Sequence, residues 1–494
     1  MSSLDEKVLR VFSDVAVRKE LARHDVVSRL PRFIAEYLIS KYYSADPDTW
    51  FDKLQKVVEE YYPEPKDKDA VLARAKREGK IKLIDEYKVT VDLKKNLYLL
   101  QLPSLQINDA LVDPGLLESR ENYERLYTGL WGIGVLEYRP ELVEATAERE
   151  RPPFTPLMLV EFEPFQVYNI DIDTFVEGRR FFMTQEWVDL LVKSMGLNPG
   201  AYNERQKLLL LARLAPLIEG NVNLVELGPR ATGKTYLYRN LSYYTRIYAG
   251  GTISAARLFY DARLRVLGDV GTRDVVVFDE IAKLRFSNAD EVVAKLKDYM
   301  VDGFFERGQL KRAHSNCSLV FLGNVDLGPK GVLGSIEGYL PDFMKDTAFL
   351  DRVHGLLPGW ELPKILTESV SLARGYALAA DYLSEVFHKM RSRSFDAIVE
   401  QHFELVGNYT IRDEKAVKKL LSGLLKLVVP HGEFDRKELE EVASTAVELR
   451  QNVVNILSEM APQEFPRKRL EIRVKGCTVP DDRIVTCSGQ GTGV

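Results

Sequence analysis

The chain has 494 residues, 45% apolar and 29% charged, with a formal net charge of −5; that is roughly three domains of ordinary globular protein. The acidic balance excludes a global basic field, so a nucleic-acid partner would need a local basic lining. No apolar run approaches the ~18 residues of a membrane span, the opening MSSLDEKVLRVF has no signal core, and Cys317, Cys477 and Cys487 form no CxxC pair, which together predict a reducing, cytoplasmic setting with no membrane and no zinc module.

Residues 1–79 read as a helical domain. Leu4, Val8, Val11, Phe12 and Val15 recur at helical spacing, as do Leu30, Phe33, Ile34, Tyr37 and Leu38, and Pro63 and Pro65 break the run before a charged helix. Residues 80–180 change to short alternating strands: Tyr87–Leu93 and Asn96–Leu102 form a hairpin pattern, with further strands at Trp131–Glu137 and Leu157–Phe162. That spacing predicts a small OB-like barrel. Lys94 and Lys95, with Tyr98, are candidates for a nucleic-acid face; a solvated strand is the other reading. Residues 181–365 begin with two helices and then alternate strand and helix, the pattern of an α/β domain with a parallel sheet. Residues 366–465 are helical again, with an apolar stripe of Leu420, Leu421, Leu424, Leu425 and Val428. Residues 466–494 read as a tail with a glycine-rich end.

The most informative stretch is Asn223–Thr235, NLVELGPRATGKT. An apolar strand ends at Gly228; Pro229, Arg230, Ala231 and Thr232 follow; and Gly233-Lys234-Thr235 opens a helix through Tyr236. This is the spacing of a phosphate-binding loop. Its glycines let bare backbone N–H groups curl around an anion, and the helix aims its positive end at the same place. Lys234 would reach the β- and γ-phosphates of ATP, and Thr235 would hold Mg²⁺. Downstream, DVVVFDE reads as a buried strand ending in Asp279, a second Mg²⁺-site candidate, and Glu280, which would polarise the attacking water. A third strand, SLVFLG, ends in Asn324, placed to orient that water; a turn-forming Asn is the plainer reading. Arg352 follows, and in ring ATPases such an arginine reaches the γ-phosphate of a neighbouring subunit; a surface or interface salt bridge is the other reading. Arg412 opens a later helix and would fold back on the nucleotide, or else pair with Asp413 or Glu414. Before the third strand lies GFFERGQLKRAHSN, a hairpin whose Arg307, Lys311 and Arg312 are candidate DNA contacts facing a ring pore; an ordinary solvated hairpin is the other reading.

The blocks GPRATGKT, DVVVFDE, FLGN and FLDRVHGLLPGWELP, with SDVAVRKELARH and IRDEKAVKKLLSGLLKL, resemble the BrxL family of bacteriophage-exclusion (BREX) defence systems. The hairpin before FLGN and the order of motifs also resemble the MCM helicases. The resemblance implies an AAA+ P-loop ATPase core with a helical lid, assembled as a hexameric ring or paired rings that enclose double-stranded DNA, with other BREX components as further partners. Longer BrxL proteins continue into a Lon-like protease domain; no fold-sized segment surrounds Ser488, so no peptidase activity is expected of this chain. Two other functions compete. A protein-remodelling AAA+ unfoldase would grip peptide with Phe304 and Phe305, and a non-hydrolysing scaffold is disfavoured by Glu280.

Overall fold

A computed structural model describes residues 2–45, 49–93, 96–118, 126–127, 129–144, 154–165, 170–263, 265–329 and 331–475. Lys94, Lys95, Cys477, Cys487 and Ser488 lie outside the described residues. Contacts divide the chain into two units, one of residues 21–169 and one of residues 1–20 with 170–494.

In the unit of residues 21–169, helices Arg32–Ala45, Trp50–Tyr61 and Lys68–Glu78 precede five strands. The strands Lys80–Asp92, Leu97–Leu102, Ile107–Val112, Leu157–Pro164 and Leu130–Tyr138 close into a barrel in that spatial order. The third and fifth in sequence pair parallel, and the fourth closes against the first. Alternation fills the interior: Ile81, Leu83, Tyr87 and Val89 are buried with Leu100, Leu102, Val112, Leu136 and Leu159. Tyr87 crosses this core, its hydroxyl donating to Leu83 O at 2.9 Å and accepting from Gly134 N at 3.1 Å. Residue 134 has to be glycine, because a Cβ there would lie 2.5 Å from the Tyr87 ring.

The other unit is built on five parallel strands. In sequence they are Asn223–Gly228, Thr245–Ile253, Val275–Phe286, Ser318–Asn324 and Gly355–Pro358; in space the order is fifth, first, fourth, third, second. The inner strands read as continuous apolar runs because helices cover both faces of such a sheet. Val276, Phe278, Leu319 and Phe321 are fully buried among Leu258, Leu296 and Ile456. Beyond the sheet, Ala380–Met390, Ile411–Val428 and Arg436–Met460 form helices. The predicted stripe Leu420, Leu421, Leu424, Leu425 and Val428 is buried.

Two pairings were not legible in the local pattern. Ala16–Arg18, in a stretch expected to be helical, is a strand antiparallel to Tyr376–Leu378. Phe403–Val406 pairs antiparallel with Glu471–Val474. Among the described residues no helix is long and apolar enough to cross a membrane.

Candidate nucleotide site and its arginines

The loop leaves its strand at Gly228, packed so tightly that an added Cβ would lie 2.7 Å from the Gly359 carbonyl carbon. It turns through Ala231 (φ 66°) and Gly233 (φ 78°), both left-handed, and Lys234–Leu241 starts a helix directly after. Ala231 O accepts from Ile365 N at 2.8 Å, so the chain after the fifth strand braces the loop.

Lys234 points into the loop's own concavity. Its ammonium donates to Gly228 O at 2.8 Å, Pro229 O at 2.7 Å and Asn324 Oδ1 at 3.1 Å. Burial pulls its pKa below the usual lysine range, and a polyphosphate would reverse that by supplying counter-charge. Thr235 Oγ1 donates to Asp279 Oδ2 at 2.7 Å. A hydroxyl and a carboxylate side by side, just past Phe278 where the third strand's pairing with the fourth stops, suit a hard cation that keeps most of its waters, so these two residues fit Mg²⁺. Glu280 takes a left-handed φ of 51°, which turns it off the strand line; its Oε2 accepts from Lys283 Nζ at 3.1 Å. Lys234, Thr235, Asp279, Glu280 and Asn324 therefore meet at one end of the sheet. Arg230 and Tyr236 are exposed on the loop's outer side.

Arg352 does not join them. It precedes the fifth strand, whose Gly355 pairs with Leu224, while the loop begins after Gly228. Four residues of strand separate the two levels, on the order of 13 Å. Its guanidinium donates to Ala348 O, and its Nε is buried without a partner. Arg412 pairs with Asp351, beside Arg352, rather than with Asp413 or Glu414. Asp413 and Asp351 are both taken by the buried Arg450, at 2.8 Å each.

The basic hairpin forms as Phe304–Arg307 with Leu310–His314. Only part of it faces out. Lys311 and Arg312 are exposed, but Arg307 turns inward, donating to Glu291 Oε1 at 3.1 Å and Tyr260 O at 2.6 Å. To serve as a DNA contact Arg307 would have to leave both of these partners. Phe305 is buried against Phe259 and Tyr299, and Phe304 lies under the Arg312 guanidinium at 4.3 Å.

A buried ion pair beneath the loop was missed in the sequence. Glu226, inside the first strand, and Arg213, on helix Glu204–Ile218, are both fully buried. Arg213 donates to Glu226 at 2.6 and 2.9 Å and, through Nη1, to Thr232 O at 3.0 Å. It thereby ties the loop to the helix behind it. A charged residue in the middle of NLVELG was the available signal, since a buried carboxylate demands a buried partner.

The chain is similar to known proteins over most of its length. The family model described as Lon-like protease BrxL-like, ATPase domain, matches residues 157–471. The model described as BREX system Lon protease-like protein BrxL N-terminal matches residues 10–138. The chain is similar to "Lon-like protease BrxL" of Escherichia coli O9:H4 (strain HS), 33% identical over 469 residues, covering 94% of this chain and 66% of that protein. It is similar to the protein of the same name from Bacillus cereus (strain H3081.97), 33% identical over 473 residues, covering 94% of this chain and 68% of that one. The chain thus spans about two thirds of the length of these curated relatives.

Proposed function

The chain belongs to the BrxL family, and from that premise we propose that it is an AAA+ ATPase of a BREX-type defence system that forms a ring around double-stranded DNA and couples ATP hydrolysis to DNA engagement or translocation. The observation that carries the reading is the convergence of Lys234, Thr235, Asp279, Glu280 and Asn324 at the carboxyl ends of a sheet ordered fifth, first, fourth, third, second.

Bound ATP with Mg²⁺ supplies the phosphoryl group and its leaving oxygens. Lys234 exchanges its bonds to Gly228 O and Pro229 O for phosphate oxygens. Thr235 and Asp279 would hold Mg²⁺, which would neutralise charge on the phosphates. Glu280 releases Lys283 and accepts a proton from the attacking water, which Asn324 orients. A bound γ-phosphate would gain from a further cation beyond Lys234. Arg352, at the far end of the sheet, meets that need if a second copy presents it in trans, and this is the physical reason for a ring. The helices of residues 366–465 serve as the lid. The barrel's order of first, second, third, fifth and fourth strand, with the third and fifth parallel, supports an OB-like reading.

The unfoldase alternative needs exposed aromatics in the pore. Phe305 is 5% exposed and Phe304 is capped by Arg312, so the hairpin offers cations rather than rings, and DNA is favoured. ATP turnover measured with duplex DNA or with an unfolded protein tests this. Stimulation by duplex alone, with rings on DNA in electron micrographs, is expected; stimulation by unfolded protein alone overturns it.

A further inference from the structure

Ile365 touches the phosphate loop twice. Its N donates to Ala231 O at 2.8 Å, and a Cβ added to Gly233 would lie 3.0 Å from its Cδ1. Both contacts fall on the loop's left-handed residues, Ala231 and Gly233, where the backbone has to close around a phosphate. The chain that carries Ile365 is then bonded along its length. Leu366 N donates to Ser371 Oγ at 3.0 Å. Asn198 N donates to Ser371 O at 2.9 Å and Ala373 N to Gly196 O at 3.0 Å, so the turn after helix Thr184–Ser194 supports the middle of this run.

The far end of the run is the strand Tyr376–Leu378, antiparallel to Ala16–Arg18. Backbone bonds extend that pairing on both sides: Ala379 N donates to Val15 O at 2.9 Å, and Lys19 N to Gly375 O at 3.1 Å. Two carboxylates lock the corner. Gly375 N donates to Glu20 Oε2 at 2.8 Å and Tyr376 N to Asp5 Oδ1 at 3.0 Å. Residue 375 has to be glycine, because its φ is 79° and a Cβ would lie 2.7 Å from the Asp5 carboxylate oxygens. Asp5 is held in turn by the buried Lys193. Glu20 ends this amino-terminal segment, and Leu21 begins the other compact unit, residues 21–169. The single run Ile365–Leu378 therefore bears on the phosphate loop at one end and on the segment leading into residues 21–169 at the other. Coupling between distant sites is carried by packed, hydrogen-bonded chains of this kind. When Lys234 trades Gly228 O and Pro229 O for phosphate oxygens, the loop that Ile365 leans on changes its bonds. A slack connector would absorb that change; a strap bonded along its length passes it on.

We propose that Ile365–Leu378 is a coupling strap: occupancy of the phosphate loop is registered at Val15–Glu20, where it tightens the bonds at the root of residues 21–169. This rests on the reading that the loop binds ATP. The nucleotide thereby controls the segment from which the barrel unit departs, through backbone bonds that lie outside the catalytic residues.

The test uses the full-length chain and hydrogen–deuterium exchange read by mass spectrometry, with and without Mg²⁺ and a slowly hydrolysed ATP analogue. Exchange at an amide follows how often its bond opens, so a coupled root exchanges more slowly when nucleotide is bound. In the parent, exchange should slow over residues 228–241, 363–379 and 14–21, by about fivefold or more at the root, the lower end of site-to-site couplings. The strand pair Phe403–Val406 with Glu471–Val474, similarly short and in the same unit, is the control and should not slow to that extent. Glu20→Ala removes the bond to Gly375 N; it should keep the loop's response and lose the response at 14–21, whereas Glu20→Gln, whose amide oxygen still accepts, should retain both. Ile365→Ala removes the contact with Gly233 and should weaken the response at 14–21 while slowing at 228–241 persists. A parent-like melting temperature certifies each variant. If the parent's loop slows and its root does not, if the control slows as much as the root, or if Glu20→Ala and Ile365→Ala both respond like the parent, the proposal is wrong and the ATP reading stands. If the phosphate loop itself shows no response at saturating nucleotide, the ATP reading falls and this inference with it.

Discussion

Replacing Glu226 by Gln keeps the shape of the side chain and removes its charge. Arg213 then stays fully buried with no anion beside it. Its guanidinium makes two charge-assisted bonds to Glu226 and one bond to Thr232 O. Bonds of the charged kind contribute about 1.5–3 kcal/mol each, and breaking a buried pair from one side costs about 3–5 kcal/mol. Glu226→Gln should therefore lose about 3–5 kcal/mol in urea or thermal unfolding of the ATPase unit. Arg213→Met/Glu226→Leu removes both charges, and a well-packed apolar pair is commonly neutral or better; most of the lost stability should return. Nucleotide affinity should fall in this double variant, because it lacks the Arg213 bond that fixes Thr232 O, whose donor Glu226→Gln keeps. Fluorescent ATP-analogue binding beside the unfolding curves separates the two effects. A single variant within about 1 kcal/mol of the parent, or a double variant as unstable as the single, would refute the assignment of this pair as the loop's anchor.

Lys234→Ala should weaken nucleotide binding, whereas Glu280→Gln should bind ATP and fail to turn it over; equal turnover by Glu280→Gln and the parent removes Glu280 from water activation. Inactive Lys234→Ala and inactive Arg352→Ala subunits, mixed, should regain partial hydrolysis, since some interfaces then hold an intact loop and an intact arginine; absence of rescue at every ratio in rings shown to mix speaks against a trans arginine. Burial, with Arg450 nearby, drives the His354 pKa down to about 3, and its Nδ1 accepts from Asn223 N at 2.9 Å. An unfolded histidine protonates near 6.5, so the native state keeps its full stability above that pH and loses it progressively as pH falls toward 3, by less than about 5 kcal/mol from this group. His354→Gln should flatten that part of the stability–pH curve, and an unchanged curve would show that His354 is not the group responsible.

The residues legible in the sequence were those whose chemistry is local. Gly228 through Thr235 are contiguous, and Asp279, Glu280 and Asn324 each end an apolar run, so spacing alone marked them. Partnership across the fold was not legible. Arg412 has Asp413 and Glu414 as neighbours in sequence but binds Asp351, while Asp413 is buried with Arg450 and Lys468. Arg307 reads as one of three equivalent cations, yet Glu291 one helix away captures it. The Ala16–Arg18 strand is three residues long and takes its conformation from a partner about 360 positions downstream, which no window of periodicity can see.

That strand sets an order of events during synthesis. Tyr376 N donates to Asp5 Oδ1 and Gly375 N to Glu20 Oε2, so the first 20 residues complete their bonds only after position 378 has left the ribosome. Residues 21–169, a separate compact unit, emerge long before. At about 5–20 residues per second the wait is roughly 20–70 s. During it the amino-terminal segment waits with an unpaired strand edge, exposed to chaperones and to other nascent chains. An ATPase fragment begun at residue 170 would lack this strand permanently, leaving Tyr376–Leu378 without its hydrogen-bonded partner and the Lys193–Asp5 ion pair half made.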